Sequence, residues 1–344
     1  MPDIAPLALL VAGLEAPDRY DQADAARLLG ELGRGEAVGA LRRYVTESRY
    51  YSKMAGFHAL ARIGDAAVCP TLRGLVDKPN VVDDWFWLDC RAVRAAAALA
   101  LLALGDESRA GYLAELADAG DDVFFCFFGP TVLRLPDNLP AARDLKARIT
   151  VGAMADPAAR GVRHTDPARV ALKAEVFGLL ATPEACEALR DLVAFHSRYV
   201  RGQAAVSLLS ADPSEEHVRL VEAMGDGDPA DFARVRASYA LAAAGRGDRI
   251  ALIVEAAEAL DDPFDRAVAV ECLGLLEDET HAGVVERQAS HADPYVRQCA
   301  VEALDRLGAA SAAAVARKRL GDDSLRVRLQ AAKLLAALDG KEGR

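Results

Sequence analysis

Asp293-Pro294-Tyr295-Val296-Arg297-Gln298-Cys299-Ala300-Val301-Glu302-Ala303-Leu304-Asp305-Arg306-Leu307-Gly308 reads as one complete helix with its own start and stop signals. Asp293 can accept hydrogen bonds from the unpaired N–H groups of the first turn. Pro294 stands at the first helical position, where a missing N–H costs nothing. Apolar residues then recur three and four apart, the period of a helix with one buried face. Gly308 tolerates the left-handed turn that ends such a helix.

The same frame recurs along the chain. Asp262 leads Arg266, Ala269, Val270, Cys272 and Leu273. Arg328, Ala331, Ala332, Leu334 and Leu335 repeat it, as do Arg234, Ala237, Ala240, Leu241 and Gly245. Arg201, Ala204, Ala205, Ser207 and Leu208 fit it, and so do Arg94, Ala97, Ala98, Leu101 and Gly105. Gln22 and Lys53 take the arginine position in two early copies, ahead of Gly33 and Gly64; Val170 and Cys126 take it in two others. Between the key positions 170, 201, 234, 266, 297 and 328 the steps are 31, 33, 32, 31 and 31 residues. From 22 to 53 the step is 31, and from 94 to 126 it is 32, whereas 53 to 94 spans 41 and 126 to 170 spans 44. Each copy continues into a second amphipathic stretch, as at 183–194, 214–224, 281–288 and 311–320, and no β-branched run alternates as a strand would.

A two-helix unit of this length cannot bury its apolar stripe alone, so copies must stack. The expectation is an all-α fold, an α-solenoid of about ten helical hairpins. Residues 1–344 would form one solenoid with irregular insertions near 78–90 and 129–166. The capping Asp, the arginine, the Ala-rich first helix, the Gly and the second helix together resemble HEAT repeats, especially the short type named after phycobilisome lyases. The resemblance covers nearly the whole chain and specifies fold far more than function. It implies a structural role for the repeated acid and base, which tie adjacent units together: Asp262 with Arg266, Asp293 with Arg297, and also Arg94, Arg201, Arg234 and Arg328.

Hydrophobic residues make up 52% of the 344 and aromatic residues only 6%, so the apolar content is mainly Ala, Leu and Val, suited to closely packed helices. The net charge of −11 repels a phosphate backbone and argues against nucleic acid, while it would attract a basic partner. Cys69, Cys90, Cys126, Cys186, Cys272 and Cys299 are scattered singly, which predicts buried thiols in place of a disulfide framework. The start, Met1-Pro2-Asp3-Ile4, has no basic n-region, and the apolar run 92–104 is too short to span a bilayer. The expected location is cytoplasmic, with no membrane association.

Two interruptions of the frame draw attention, because sequences break local rules most often at functional sites. The first holds Asp83, Asp84, Trp85, Trp87, Asp89 and Cys90 within 78–91. The second holds Asp121, Asp122, Phe124, Phe125, Cys126, Phe127 and Phe128, followed by Pro130 where the frame predicts helix. Stacking of adjacent repeats would join them into an aromatic-acidic patch, extended by Tyr50 and Tyr51. The rings read equally as core filling or as a helix kink packed with aromatics. The segment 155–166, with Arg160, Arg163 and His164, reads as a surface loop.

No His-Glu dipeptide, metal-ligand spacing, phosphate loop or nucleophile elbow occurs, so no metal and no cofactor are expected. The first functional reading is a protein-binding scaffold or adaptor, using the concave second-helix face and the patch formed by Tyr50, Tyr51, Asp83, Trp85, Trp87 and the four Phe residues. The second is a small-molecule, lyase-like enzyme, with Asp84 or Asp89 as acid/base and Cys90 or Cys126 assisting. A third rests on Trp85 and Asp89, whose spacing resembles the base-holding pair of HEAT-like DNA glycosylases. Fold-level analogy favours none of these reactions.

Overall fold

The helix of the quoted stretch runs from Pro294 to Arg306, and Asp293 Oδ1 accepts from the N–H groups of Tyr295 at 2.8 Å and Val296 at 3.4 Å. Gly308 takes the left-handed turn with φ 63°. The computed structural model describes residues 5–48, 53–77, 90–121, 124–154, 166–227 and 231–342, among which there is no strand. They divide into two compact units, Met1–Ile149 with Arg319–Arg344, and Thr150–Lys318. The boundary falls inside the stretch expected to be an irregular insertion.

The first unit begins with α1 (Pro6–Gly13), then the pairs α2 (Arg19–Leu32) and α3 (Val38–Glu47), α4 (Lys53–Ile63) and α5 (Cys69–Asp77), and α6 (Cys90–Ala103) and α7 (Ala110–Asp118). A π-helical turn, Phe124–Phe128, leads into α8 (Gly129–Arg134) and α9 (Pro140–Arg148). The second unit holds the short α10 (Val151–Met154), then α11 (Pro167–Leu180) with α12 (Pro183–Val193), α13 (Arg198–Ala211) with α14 (Glu215–Gly227), and α15 (Asp231–Ala243) with α16 (Ile250–Ala259). It ends with α17 (Pro263–Leu275) and α18 (Ala282–Gln288), and α19 (Pro294–Arg306) and α20 (Ala312–Arg319). The last helix, α21 (Leu325–Glu342), belongs to the first unit. Each unit is an α-solenoid segment in which first helices stack on first helices and each second helix wedges against the next first helix.

The stack is held close by small residues at one frame position. Gly30, Gly178 and Gly274, each eight residues beyond its key position, lie against Ala59, Ser207 and Ala303 of the next first helix. A Cβ on Gly274 would stand 2.7 Å from both Cα and Cβ of Ala303. Around these contacts Leu28, Leu60, Leu101, Leu208, Leu273 and Leu304 are buried.

The repeated arginine ties units together, but not through the repeated aspartate. Arg266 donates to the carbonyls of Leu260 at 2.7 Å and Glu258 at 3.1 Å, at the end of the preceding second helix. Arg201 reaches Phe195 and His196, Arg297 reaches His291 and Ala292, and Arg328 reaches Asp322 and Asp323 in the same way, while Arg94 reaches Val76. Asp262 and Asp293 spend their carboxylates on their own helix N-termini. The expected acid–base pairing is therefore corrected to a donor-to-carbonyl clasp. Gln22 and Lys53 preserve it: Gln22 Nε2 donates to Ala16 O at 2.7 Å and Lys53 Nζ to Ser48 O at 3.1 Å. What the position requires is a long side chain with a polar N–H.

Nine hairpins follow one another along the described chain, and the tenth is composite. The C-terminal α21 packs against α1 and α2 at the other end of the chain. Leu329 is fully buried there, and Gly13 leaves room for it: a Cβ on Gly13 would meet Leu329 Cδ2 at 2.8 Å. Arg34 donates to the carbonyl of Ala336 at 2.5 Å. Thus α21 serves as a first helix whose second helix, α1, is the start of the chain.

Candidate functional site

Tyr50, Tyr51, Asp83, Asp84, Trp85, Trp87 and Asp89 lie outside the described residues, as does the segment 155–165. Cys90 opens α6 and Cys126 lies in the π-helical turn, but their side chains are likewise outside the described set. The four phenylalanines divide. Phe124, Phe125 and Phe128 are buried, with Phe124 and Phe125 edge to face at 5.3 Å, so they fill the interior. Phe127 alone of the four faces solvent. The turn is anchored by Asp121, whose Oδ1 accepts from Phe124 N at 3.0 Å and which pairs with Arg91 at 3.4 Å. Pro130 enters the first turn of α8, so the helix restarts there and does not run through it. Of the aromatic-acidic patch, the described residues are three buried rings, the anchoring Asp121 and the exposed Phe127.

Besides Phe127, exposed rings stand in the second unit. Two residues before the key position, at the second residue of each first helix, stand Tyr199 on α13, Phe232 on α15, Phe264 on α17 and Tyr295 on α19. Because these helices stack in one register, equal frame positions line one edge of the second unit. Ring centroids are 4.9 Å apart from Tyr199 to Phe232, 5.9 Å from Phe232 to Phe264 and 6.0 Å from Phe264 to Tyr295. The last two pairs are nearly parallel, at 11°. Phe232 is only 8% exposed and props the row, whereas Tyr199, Phe264 and Tyr295 keep 41, 39 and 41% of their surface open. Exposed aromatic surface repeated in register is rare unless something covers it. The expected second-helix face does not carry these rings; the first helices do.

Carboxylates surround the row. Asp261 and Asp262 are exposed beside Phe264, and Asp293 caps the helix of Tyr295. Arg198 lies over the Tyr199 ring at 5.0 Å, and its Nη1 donates to the buried Asp265 Oδ2 at 2.9 Å. One turn behind Tyr295, burial pushes the Cys299 thiol up to about 12, with Glu271 and Glu302 adding to the rise. Burial foremost, together with Cys299 and Glu271, also raises the Tyr295 hydroxyl above its ordinary range. Glu302 is paired with Arg306 at 2.6 Å, but half-buried Glu271 has no hydrogen-bond or ion-pair partner among the described residues. Cys69, Cys186, Cys272 and Cys299 are buried and unbridged, and burial raises all four thiols, which makes them poor nucleophiles.

The first unit repeats the arrangement on a smaller scale. Tyr20, the same frame position on α2, is half exposed, with Arg19 at 5.0 Å and Arg326 at 5.8 Å from its ring centre. Arg326 Nε pairs with Asp21 at 3.0 Å and Asp24 at 3.6 Å. Burial raises the Asp24 carboxyl, opposed by Arg27 and Arg326. A cleft of about 350 Å³ opens in this unit between Leu14, Glu15, Gln22, Arg43, Tyr44 and Glu47. Among the described residues no helix is long and apolar enough to cross a membrane, and no three His, Cys, Asp or Glu side chains are grouped to hold a metal. The 33-, 32- and 31-residue spacing of 199, 232, 264 and 295 marks the row in the sequence, but not its exposure: the same position holds Tyr20, Tyr51 and Phe124 as well as Ala92, Ala168 and Arg326, and Phe124 is buried.

Residues 7–84 and 250–338 match the family model for HEAT repeats. No curated relative matches the chain in sequence. Among solved structures, an engineered protein is 17% identical over 98% of this chain and 99% of its own, with a TM-score of 0.34. Human deoxyhypusine hydroxylase in complex with glycerol is 17% identical over 90% of this chain and 97% of its own, with a TM-score of 0.35. The complex of CpcE and CpcF of phycocyanin lyase from Nostoc sp. PCC7120 is 16% identical over 97% and 95%, with a TM-score of 0.30. At these scores their activities remain theirs.

Proposed function

We propose that this chain, which belongs to the HEAT-repeat proteins, is a protein-binding scaffold or adaptor that docks a partner along the ring edge of its second unit. The observation that supports this reading is the row of Tyr199, Phe264 and Tyr295, three large rings left open at one frame position of stacked helices. Tyr supplies a rigid, amphipathic contact with little side-chain entropy to lose, and is enriched at interface anchors. The underlying helices are held by small-residue contacts and carbonyl clasps, so the row is presented by a stiff support. The small-molecule, lyase-like reading relied on rings facing a pocket near residues 83–128, and three of its four phenylalanines are buried.

The test is affinity capture from a lysate of the source organism, with the wild type and a Phe264→Ala/Tyr295→Ala variant as baits. A partner retained in stoichiometric amount by the wild type and lost from the variant is the expected result. Equal retention by both baits, or turnover of a small molecule with no stoichiometric partner, sinks the proposal.

A further inference from the structure

The chain already shows how this frame position receives a guanidinium. At Tyr199 it is Arg198, over the ring at 5.0 Å and paired with Asp265. At Tyr20 it is Arg326, 5.8 Å from the ring centre and paired with Asp21 and Asp24. Each seat combines an exposed ring face with a flanking carboxylate. A ring face attracts a cation through its quadrupole, and a planar guanidinium stacks on it while keeping its N–H groups for an acid.

Phe264 and Tyr295 offer the same two components. Their rings are partly open, and their surroundings are acidic: Asp261 and Asp262 on one side, and Glu271, whose charge acts on the Tyr295 hydroxyl and which has no hydrogen-bond or ion-pair partner among the described residues. Their centroids are 6.0 Å apart. An extended strand advances about 3.3 Å per residue, so side chains two positions apart on one face are separated by about 6.6 Å. That spacing places alternate side chains of an extended segment over successive rings. The net charge of −11 adds long-range attraction for a basic segment.

We propose that Phe264 and Tyr295, with Glu271, bind an extended arginine-bearing segment of a partner protein, with arginines at alternate positions stacked on successive rings. This rests on the scaffold reading and specifies the chemistry of its partner. Arginine is favoured over lysine because both internal seats hold a carboxylate-paired guanidinium over a ring.

The experiment is fluorescence anisotropy with short labelled peptides alternating arginine, lysine or glutamate with glycine, titrated with the whole chain. The arginine peptide should bind best and the glutamate peptide not at all. Phe264→Ala/Tyr295→Ala leaves the net charge unchanged and should weaken arginine-peptide binding about tenfold. Glu271→Gln should weaken it as well. Tyr295→Leu keeps an apolar contact, removes the ring face and should weaken binding with an unchanged melting curve, which separates recognition from loss of fold. Equal affinity of wild type and double variant would mean attraction to the acidic field alone, and overturns the inference. So does absence of arginine-peptide binding; if ring-dependent partner capture persists in that case, the arginine specificity falls and the scaffold reading stands.

Discussion

Arg326 donates from Nε to Asp21 Oδ1 at 3.0 Å, joining two residues 305 positions apart. The bond marks the composite hairpin in which α21 borrows α1 as its second helix. Its stability should come from burial and not from that ion pair. Arg326 is 40% exposed, and an exposed pair contributes about 0–1 kcal/mol. Leu329 is fully buried, and removal of such a side chain costs about 2–5 kcal/mol. Urea unfolding of Leu329→Ala should therefore show a large loss, and Arg326→Ala a small one. The reverse ranking would mean that the ends are held electrostatically.

Close approach of first helices makes a second prediction at Gly274. Alanine favours a helix over glycine by about 1 kcal/mol. At this position a Cβ would stand 2.7 Å from the Ala303 backbone, and overpacking of this kind costs about 1–3 kcal/mol. Gly274→Ala should lower the melting temperature. Gly74 lies within α5 with open space where its Cβ would be, so Gly74→Ala should raise it slightly. Equal shifts of the same sign at both positions would refute the packing argument.

The frame was legible because its elements are local: an Asp cap, a Pro, a Gly turn and a helical stripe all act within one unit. The arginine's partner was not legible, since its acceptors are backbone carbonyls that leave no mark in the sequence. The second helix of the tenth hairpin was hidden for a different reason: α1 and α21 are far apart in sequence, and no spacing rule joins them. In the aromatic cluster at 124–128 the sequence left core filling and a packed kink open, and only the packing separates buried Phe124, Phe125 and Phe128 from exposed Phe127. The ring row is sparse, one residue per repeat, and its meaning exists only once the helices stack.

The carbonyl clasp can be tested by exchanging its donors. Gln22 and Lys53 show that the position accepts other long N–H donors. Arg266→Gln and Arg266→Lys should therefore retain most of the stability. Arg266→Leu strips the part-buried carbonyl of Leu260 and the exposed carbonyl of Glu258 of their donor, a net loss of about 0.5–1.5 kcal/mol. Chemical denaturation of the three variants should separate leucine from the other two. Equal stability of all three would reduce the repeated arginine to a space filler.

Burial lowers the His58 imidazole below its ordinary value of 6.5. The folded chain thus keeps this ring neutral in a range where the unfolded chain has already bound a proton. Stability is fully present above 6.5 and is lost as pH falls through that value, because the unfolded state binds the extra proton; one such group contributes a slope of at most about 1.4 kcal/mol per pH unit. The urea midpoint of the wild type should fall from about pH 7.5 to about pH 5.5. His58→Gln lacks this imidazole, so its fall over the same interval should be smaller, even if its absolute stability is lower. Carboxylates such as Asp77, held low by the Arg109 hydrogen bond, titrate below their ordinary 3.8 and stay charged in this range, so they do not imitate the effect. An unchanged pH slope in His58→Gln would place the neutral sensor at another histidine.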